Sequence, residues 1–524
     1  MAQPTDSRSE ADTANEPNLE KQEGSDPTES VSTTVEFVGG AESTQTSRTK
    51  KLLLFVGVPI LVAVGVISLC LQAMYPVDRN AASYEAPVAK PPTPAELAEA
   101  AAKALFLKRT EKKPATFDLL MQDENKDLFE SLRPTDEAVV MALQTTQERL
   151  LREDPHLAKA MRDPMGTPLV GIAGPTLADD ICEQAFPWFE DAITRLHNRR
   201  PDLAYPELAE SIRRCWYAFW LSETASQHDR EIIRGSGRSG QFDPLALYVY
   251  HLGDSNRNSR EATVERLAKT IGSADVGPHM RVQILSEVIA WRGYISDELW
   301  LDSVLEFFEA TADSWSLLAS EENDPGLEYI MLRSVEFAFG KLNGWCRVEL
   351  LRHLVEGKAP QWVQQYFAGY ILYDAAWHHR GTGFIYEIEP DDYAKFSSLI
   401  SQATDLMVIA WSLRPIHVQL PRMLLACEMT AGETGLSTSE WFRHGIARML
   451  NSQSLHEAMA IASLPRWGGS KRQLLQLAQL CVDAGDFRYG TPRMSEYYLD
   501  WYMQDQSKRT PIDQRATDWA KSLV

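Results

Sequence analysis

Three stretches of the chain hold residue types whose spacing could support chemistry. Gly235-Ser236-Gly237-Arg238-Ser239-Gly240 matches the G-x-G-x-x-G fingerprint of dinucleotide sites. That fingerprint works only between a strand and a helix that receives the pyrophosphate, with an acid about twenty residues further on. Here the preceding Asp229-Arg230-Glu231-Ile232-Ile233-Arg234 is polar and helical, and Asp243-Pro244 starts a new helix. The expectation is a loop that holds no cofactor. Asp374 and His378 stand four residues apart, on one helix face, and His379 follows. Zinc would want a third ligand, as an H-E-x-x-H helix supplies, and none is present. Asp374 also continues an apolar stripe, so the expectation is a partly buried carboxylate paired with Arg380 or a tyrosine of the next helix.

The third stretch is Pro465-Arg466-Trp467-Gly468-Gly469, a tight turn after which Ser470 to Gln473 open a helix as a capping box. A helix start offers free N–H groups and the positive end of the dipole. With Arg466, Lys471 and Arg472 beside it, this could seat a carboxylate or phosphate. The competing role is a plain turn in which Trp467 plugs the neighbouring helices, and the two glycines favour it. Asp374, Trp377, Arg380, Arg466, Trp467, Ser470 and Lys471 together form the candidate ligand groove or anion seat.

Other nucleophile and cofactor signatures are missing: there is no G-x-S-x-G, no Walker loop and no C-x-x-C pair. Cys182, Cys215, Cys346, Cys427 and Cys481 stand outside the apolar run near the N-terminus, four of them in apolar helical stretches, which predicts buried free thiols. All fourteen tryptophans follow Phe186, and many lie beside arginine, as in Trp291-Arg292 and Arg466-Trp467. Most should pack helices, and some could line a concave face, where Trp and Arg carry binding energy.

The elements that position these residues are helices. Val363, Tyr366, Phe367, Tyr370 and Ile371 are apolar at helical spacing, and Leu474, Leu477, Ala478, Cys481 and Val482 repeat it. Hairpin signals are nearly absent, and no Asp-Gly dipeptide occurs. Breakers at Gly235 to Gly240 and Gly357 to Pro360 set soft boundaries. A repeat shows near the C-terminal end, where Ala410 to Pro415 closes one helix and Ala447 to Leu450 closes another. Ala, Leu and then Pro at the end of a second helix, at a period of about 34, is the tetratricopeptide pattern. The small Ala lets paired helices approach, Leu fills the gap, and Pro stops the helix.

Asp374-Ala375-Ala376-Trp377-His378-His379-Arg380-Gly381-Thr382-Gly383 and Pro465-Arg466-Trp467-Gly468-Gly469-Ser470 resemble signatures of the bacterial family named domain of unknown function 4034. The likeness covers roughly residues 360–485. It implies a tetratricopeptide-like helical fold and brings neither an activity nor catalytic residues.

Composition bounds the remainder. Of 524 residues 44% are hydrophobic and 24% charged, a folded balance, and the net charge of −21 argues against a nucleic-acid binder. Residues 1–47 hold ten acids, two bases and fourteen Ser or Thr. They have almost nothing to bury, so a disordered tail is expected over 1–50. Leu52 to Val77 is a run of 26 residues without a charge. At 1.5 Å per residue it reaches about 39 Å as a helix, longer than the ~30 Å hydrocarbon core. About fifty residues precede it, which argues against a cleaved signal. A retained transmembrane helix is expected over 51–75. Arg48, Lys50 and Lys51 abut its start while Asp78 and Arg79 cancel beyond its end. The positive-inside rule therefore places the tail in the cytoplasm and the rest outside it. A Pro/Ala-rich stalk follows over 76–94.

Beyond the stalk the expected plan is all-α: an N-terminal helical subdomain over 95–235, a middle one over 241–357, tetratricopeptide-like repeats over 358–505 and a C-terminal helix or tail over 506–524. The function this suggests is a membrane-anchored scaffold that binds a protein or peptide on the extracytoplasmic side, periplasmic in a diderm bacterium. An exported enzyme without a familiar motif is the alternative. An open groove lined by Trp and Arg would favour the binder; titratable groups gathered in a deep closed pocket would favour the enzyme.

Overall fold

A computed structural model describes residues 123–162, 177–220, 225–237, 243–253, 257–320, 325–381, 388–432, 434–484 and 494–506. The acidic tail, the apolar run and the stalk lie outside these, as do residues 95–122 and 507–524. Among the described residues no helix is long and apolar enough to cross a membrane.

The described residues form nineteen α-helices and no strand, so the all-α expectation holds. In chain order they are α1 (Asp123–Leu132), α2 (Asp136–Glu153), α3 (Pro155–Arg162), α4 (Leu177–Arg199), α5 (Pro206–Trp220), α6 (Gln227–Ser236) and α7 (Pro244–Gly253). Next come α8 (Arg257–Ile271), α9 (Pro278–Ala290), α10 (Asp297–Ser320), α11 (Pro325–Phe339), α12 (Gly344–Glu356) and α13 (Gln361–Arg380). The last six are α14 (Pro390–Leu413), α15 (Gln419–Ala431), α16 (Thr438–Ile446), α17 (Gln453–Ala462), α18 (Lys471–Asp483) and α19 (Ser495–Gln506).

Local chemistry sets the helix ends. Ahead of α2, Thr135 accepts from the Ala138 amide at 3.3 Å, and Asp136 and Glu137 in the first turn meet the positive end of the dipole. The start of α16 is a full capping box: Glu440 N–H donates to Ser437 Oγ at 3.3 Å and Ser437 N–H to Glu440 Oε2 at 2.7 Å. Proline opens α9 and α14, where its missing N–H costs nothing.

Many sequence neighbours pack directly on one another. The tightest pair is α13 on α14, where an added Cβ on Gly369 would come within 3.1 Å of the Ala403 carbonyl and of Met407. Only glycine lets the two backbones approach so closely. The chain then departs from a simple stack. Helices α1, α2 and α3 return to pack on α13, α14 and α16, and α4 packs on α11. Arg352 of α12 donates to Asn125 Oδ1 of α1 at 2.9 Å across this return. One contiguous apolar core, from Leu150 to Tyr502, passes through both breaks at Gly235 and Gly357. Trp216, Trp300, Trp315, Trp411 and Trp441 are wholly enclosed in it, each burying a large apolar area.

Candidate functional site

Four of the seven residues singled out in sequence meet in space. Trp377 at the end of α13 packs edge-on against Trp467 of the turn after α17, ring centroids 6.0 Å apart at 76°. The Arg380 guanidinium lies 5.0 Å from the Trp377 ring centroid and 5.4 Å from that of Trp467, and Arg466 lies 5.9 Å from Trp467. These cation–π contacts tie the end of α13 to the turn, each worth about 0.5–1 kcal/mol at a partly solvated site. Trp467 is half-buried against the core.

The other three residues are placed differently. Asp374 pairs with Arg347 Nη1 of α12 at 2.5 Å, so the partner comes from the preceding helix and is neither Arg380 nor a tyrosine. Its side chain is 44% exposed, less buried than the apolar stripe suggests. Ser470 caps α18, accepting from the Gln473 amide at 3.2 Å, and Lys471 follows in the first turn. His379 Nδ1 lies 3.4 Å from Asp392 Oδ1, and among the described residues no group of His, Cys, Asp and Glu is arranged to hold a metal ion. Gly235 and Ser236 end α6, with Gly237 as its C-cap. The fingerprint therefore follows a helix instead of a strand.

A second candidate site joins residues that no motif in the sequence links. A pocket of about 280 Å³ opens where α5, α7, α8, α9 and α11 converge. Its apolar walls are Phe219 and Trp220 from the last turn of α5, Trp291 at the end of α9 and Phe337 of α11. Phe219 and Phe337 remain 41% and 44% exposed, unusual for large aromatics. The polar groups are His251 of α7, Glu287 of α9, Arg260 of α8 and Arg333 of α11.

The polar geometry is specific. His251 Nε2 and Glu287 Oε2 are 3.2 Å apart, and the imidazole stands edge-on to Trp291 at 5.9 Å and 83°. Arg260 lies 5.7 Å from the Trp291 ring centroid. Arg333 Nη1 donates to Glu336 Oε2 at 3.1 Å. Glu336 in turn accepts from Arg422 at 3.2 Å and from the Tyr366 hydroxyl, inside the core. Beneath the aromatic walls Gln283 Oε1 accepts from Trp216 Nε1 at 3.3 Å and from the Tyr248 hydroxyl at 3.2 Å. Burial pushes that hydroxyl well above the usual tyrosine range.

Three polar atoms of the lining are buried without a hydrogen-bond partner: His251 Nδ1, Arg260 Nε and Trp220 Nε1. Two hydroxyls also reach the lining, but Ser286 donates to the Gln283 carbonyl at 2.7 Å and Ser334 to the Ile330 carbonyl at 2.9 Å. Both are bonded to their own helices, and neither is hydrogen-bonded to His251. An activated nucleophile needs its base at about 2.6–3.2 Å.

The lining residues span 219–337 on five helices. The one local signal was a tryptophan beside an arginine, a pairing repeated elsewhere in the chain. Compared with known protein families, with curated proteins and with solved structures, the chain matches none.

Proposed function

We propose that the protein is a membrane-anchored, tetratricopeptide-like scaffold that binds a protein or peptide partner on the extracytoplasmic side, with the pocket between α5, α7, α8, α9 and α11 as its seat. One observation carries the reading: the pocket is open, walled by Trp220 and Trp291, rimmed by the exposed Phe219 and Phe337, and reached by Arg260 and Arg333. Tryptophan and arginine are the residue types that dominate binding hot spots. The anchor rests on the uncharged run Leu52 to Val77 and its basic flank. The repeat reading rests on the Ala410 to Pro415 and Ala447 to Leu450 spacing, with the family resemblance over 360–485 beside it.

The test is site-specific photocrosslinking of the full chain in its native membrane. A benzophenone side chain replacing Phe219 or Phe337 should yield a discrete partner adduct, reduced when Trp291→Ala is combined with it. The same probe at Tyr393, also exposed but on α14, should yield none. Equal adducts at all three positions, or no adduct at any, would reject the pocket as the seat.

A further inference from the structure

We infer that the pocket reads a carboxylate attached to an aromatic group, with Arg260 pairing the carboxylate and the aromatic walls holding the ring. This rests on the scaffold reading for the pocket's being a seat at all, and goes beyond it in naming what is seated. The lining carries two guanidiniums against one carboxylate, in a chain whose net charge is −21. Of the two cations, Arg333 is engaged by Glu336. Arg260 has no carboxylate within ion-pair distance among the described residues, and its Nε is buried without a partner. A guanidinium held against an indole and lacking a counter-charge is prepared for a planar bidentate anion.

The neighbouring atoms agree. His251 is 2% exposed and lines the same pocket, with Nδ1 unpartnered; Trp220 Nε1, also unpartnered, can only donate. Unpaired buried donors are costly, so a ligand whose oxygens accept from Arg260 Nε and Trp220 Nε1 recovers that cost. His251 Nδ1, with Nε2 facing Glu287, is left as an acceptor for a ligand N–H or O–H. Glu287, the single carboxylate of the lining, is drawn to His251 at 3.2 Å. Around these groups Trp220, Trp291, Phe219 and Phe337 offer ring faces and edges at which an aromatic group stacks or packs edge-on. About 280 Å³ is just below the usual 300–1,000 Å³ of ligand pockets, which limits the seated part to roughly one aromatic residue with its carboxylate. The carboxylate could belong to the C-terminal residue of a peptide or to a free aromatic acid.

The experiment titrates the purified full chain in detergent, by calorimetry, with two probes: N-acetylphenylalanine and a hexapeptide ending in phenylalanine, each as free acid and as C-terminal amide. A charge-assisted pair of about 1.5–3 kcal/mol predicts a preference for acid over amide of roughly ten- to a hundredfold. Arg260→Gln should erase the preference, Arg260→Lys should restore part of it, and added salt should weaken it. A peptide acid that binds more tightly than N-acetylphenylalanine assigns the ligand to a peptide terminus; equal affinities assign it to a free acid. Equal binding of acid and amide overturns the inference, as does the absence of binding by either probe. A crosslinked partner at Phe219 without any acid preference would retire this inference and leave the scaffold reading in place. An acid preference without a crosslinked partner would do the reverse.

Discussion

The Tyr498 hydroxyl lies 2.8 Å from His456 Nδ1, while His456 Nε2 lies 2.8 Å from the Leu450 carbonyl. A carbonyl only accepts, so the proton sits on Nε2, and Nδ1 receives the tyrosine hydroxyl. The imidazole is therefore neutral, and it joins α17 to α19 inside the core. Burial pushes its pKa down to about 4. Burial likewise lowers His279 to about 4 and His444 to about 3.

These three histidines predict acid sensitivity. Unfolded, each titrates near 6.5; folded, each stays neutral well below that. The unfolded state binds more protons as pH falls from about 6.5 towards 4, so the stability these groups contribute is full above 6.5 and lost through that window. Three protons give a slope of up to about 4 kcal/mol per pH unit. Denaturant midpoints measured between pH 7 and 4.5 should fall steeply, and less so for His456→Gln. A flat profile would contradict the neutral core imidazoles.

At lower pH a carboxylate takes over. Asp229 accepts from Arg214 at 2.5 Å, Ser226 at 2.6 Å and Ser211 at 3.0 Å. The Arg214 bond, opposed by burial and assisted by the two serines, holds its pKa down at about 2. Its contribution is complete above about pH 4 and disappears as pH falls towards 2. Asp229→Asn should cost ~2 kcal/mol at pH 7, with the gap to wild type closing on acidification. A pH-independent gap would assign the loss to packing.

The Pro465 to Gly469 turn separates two uses of glycine. Gly468 sits at φ 84° with nothing within 4 Å of an added Cβ, whereas a Cβ on Gly469 would fall 2.2 Å from the Ser463 carbonyl oxygen. Gly468→Ala should cost about 1–2 kcal/mol, the left-handed penalty alone. Gly469→Ala must push the backbone aside and should cost more. Urea midpoints in the opposite order would refute this account.

Trp467→Ala tests the plug. A fully buried aromatic costs about 3–5 kcal/mol to delete. Trp467 is half-buried, so about 2–3 kcal/mol is expected, with little change in partner crosslinking at Phe219. Unchanged stability together with lost crosslinking would instead make Trp467 a binding residue.

Thiol chemistry provides a further check. Cys215, Cys346, Cys427 and Cys481 are buried and free. Burial pushes Cys215 up to about 11, Cys346 and Cys427 to about 12, and Cys481 higher. Thiolate is the reactive form. In a Cys70→Ser, Cys182→Ser chain, a water-soluble thiol reagent should label nothing until denaturant is added. Native labelling would mean that the core opens.

The sequence by itself determined the helices, their caps and the need for glycine at the Trp467 turn. Periodicity, Ser437 with Glu440 and the Gly468-Gly469 pair act through neighbours a few residues away. It also pointed to buried thiols, because cysteines inside apolar helical stripes face the core. Tertiary structure alone decided that Asp374 turns to Arg347, that α1 to α3 return to α13, α14 and α16, and that Phe219, His251, Arg260, Trp291 and Phe337 share one pocket. Those outcomes depend on which helix faces meet, and a face with the right period can pack against any apolar partner. The choice is made by shape and volume between residues far apart along the chain, as when Gly369 admits Met407. Spacing along the chain carries no record of it.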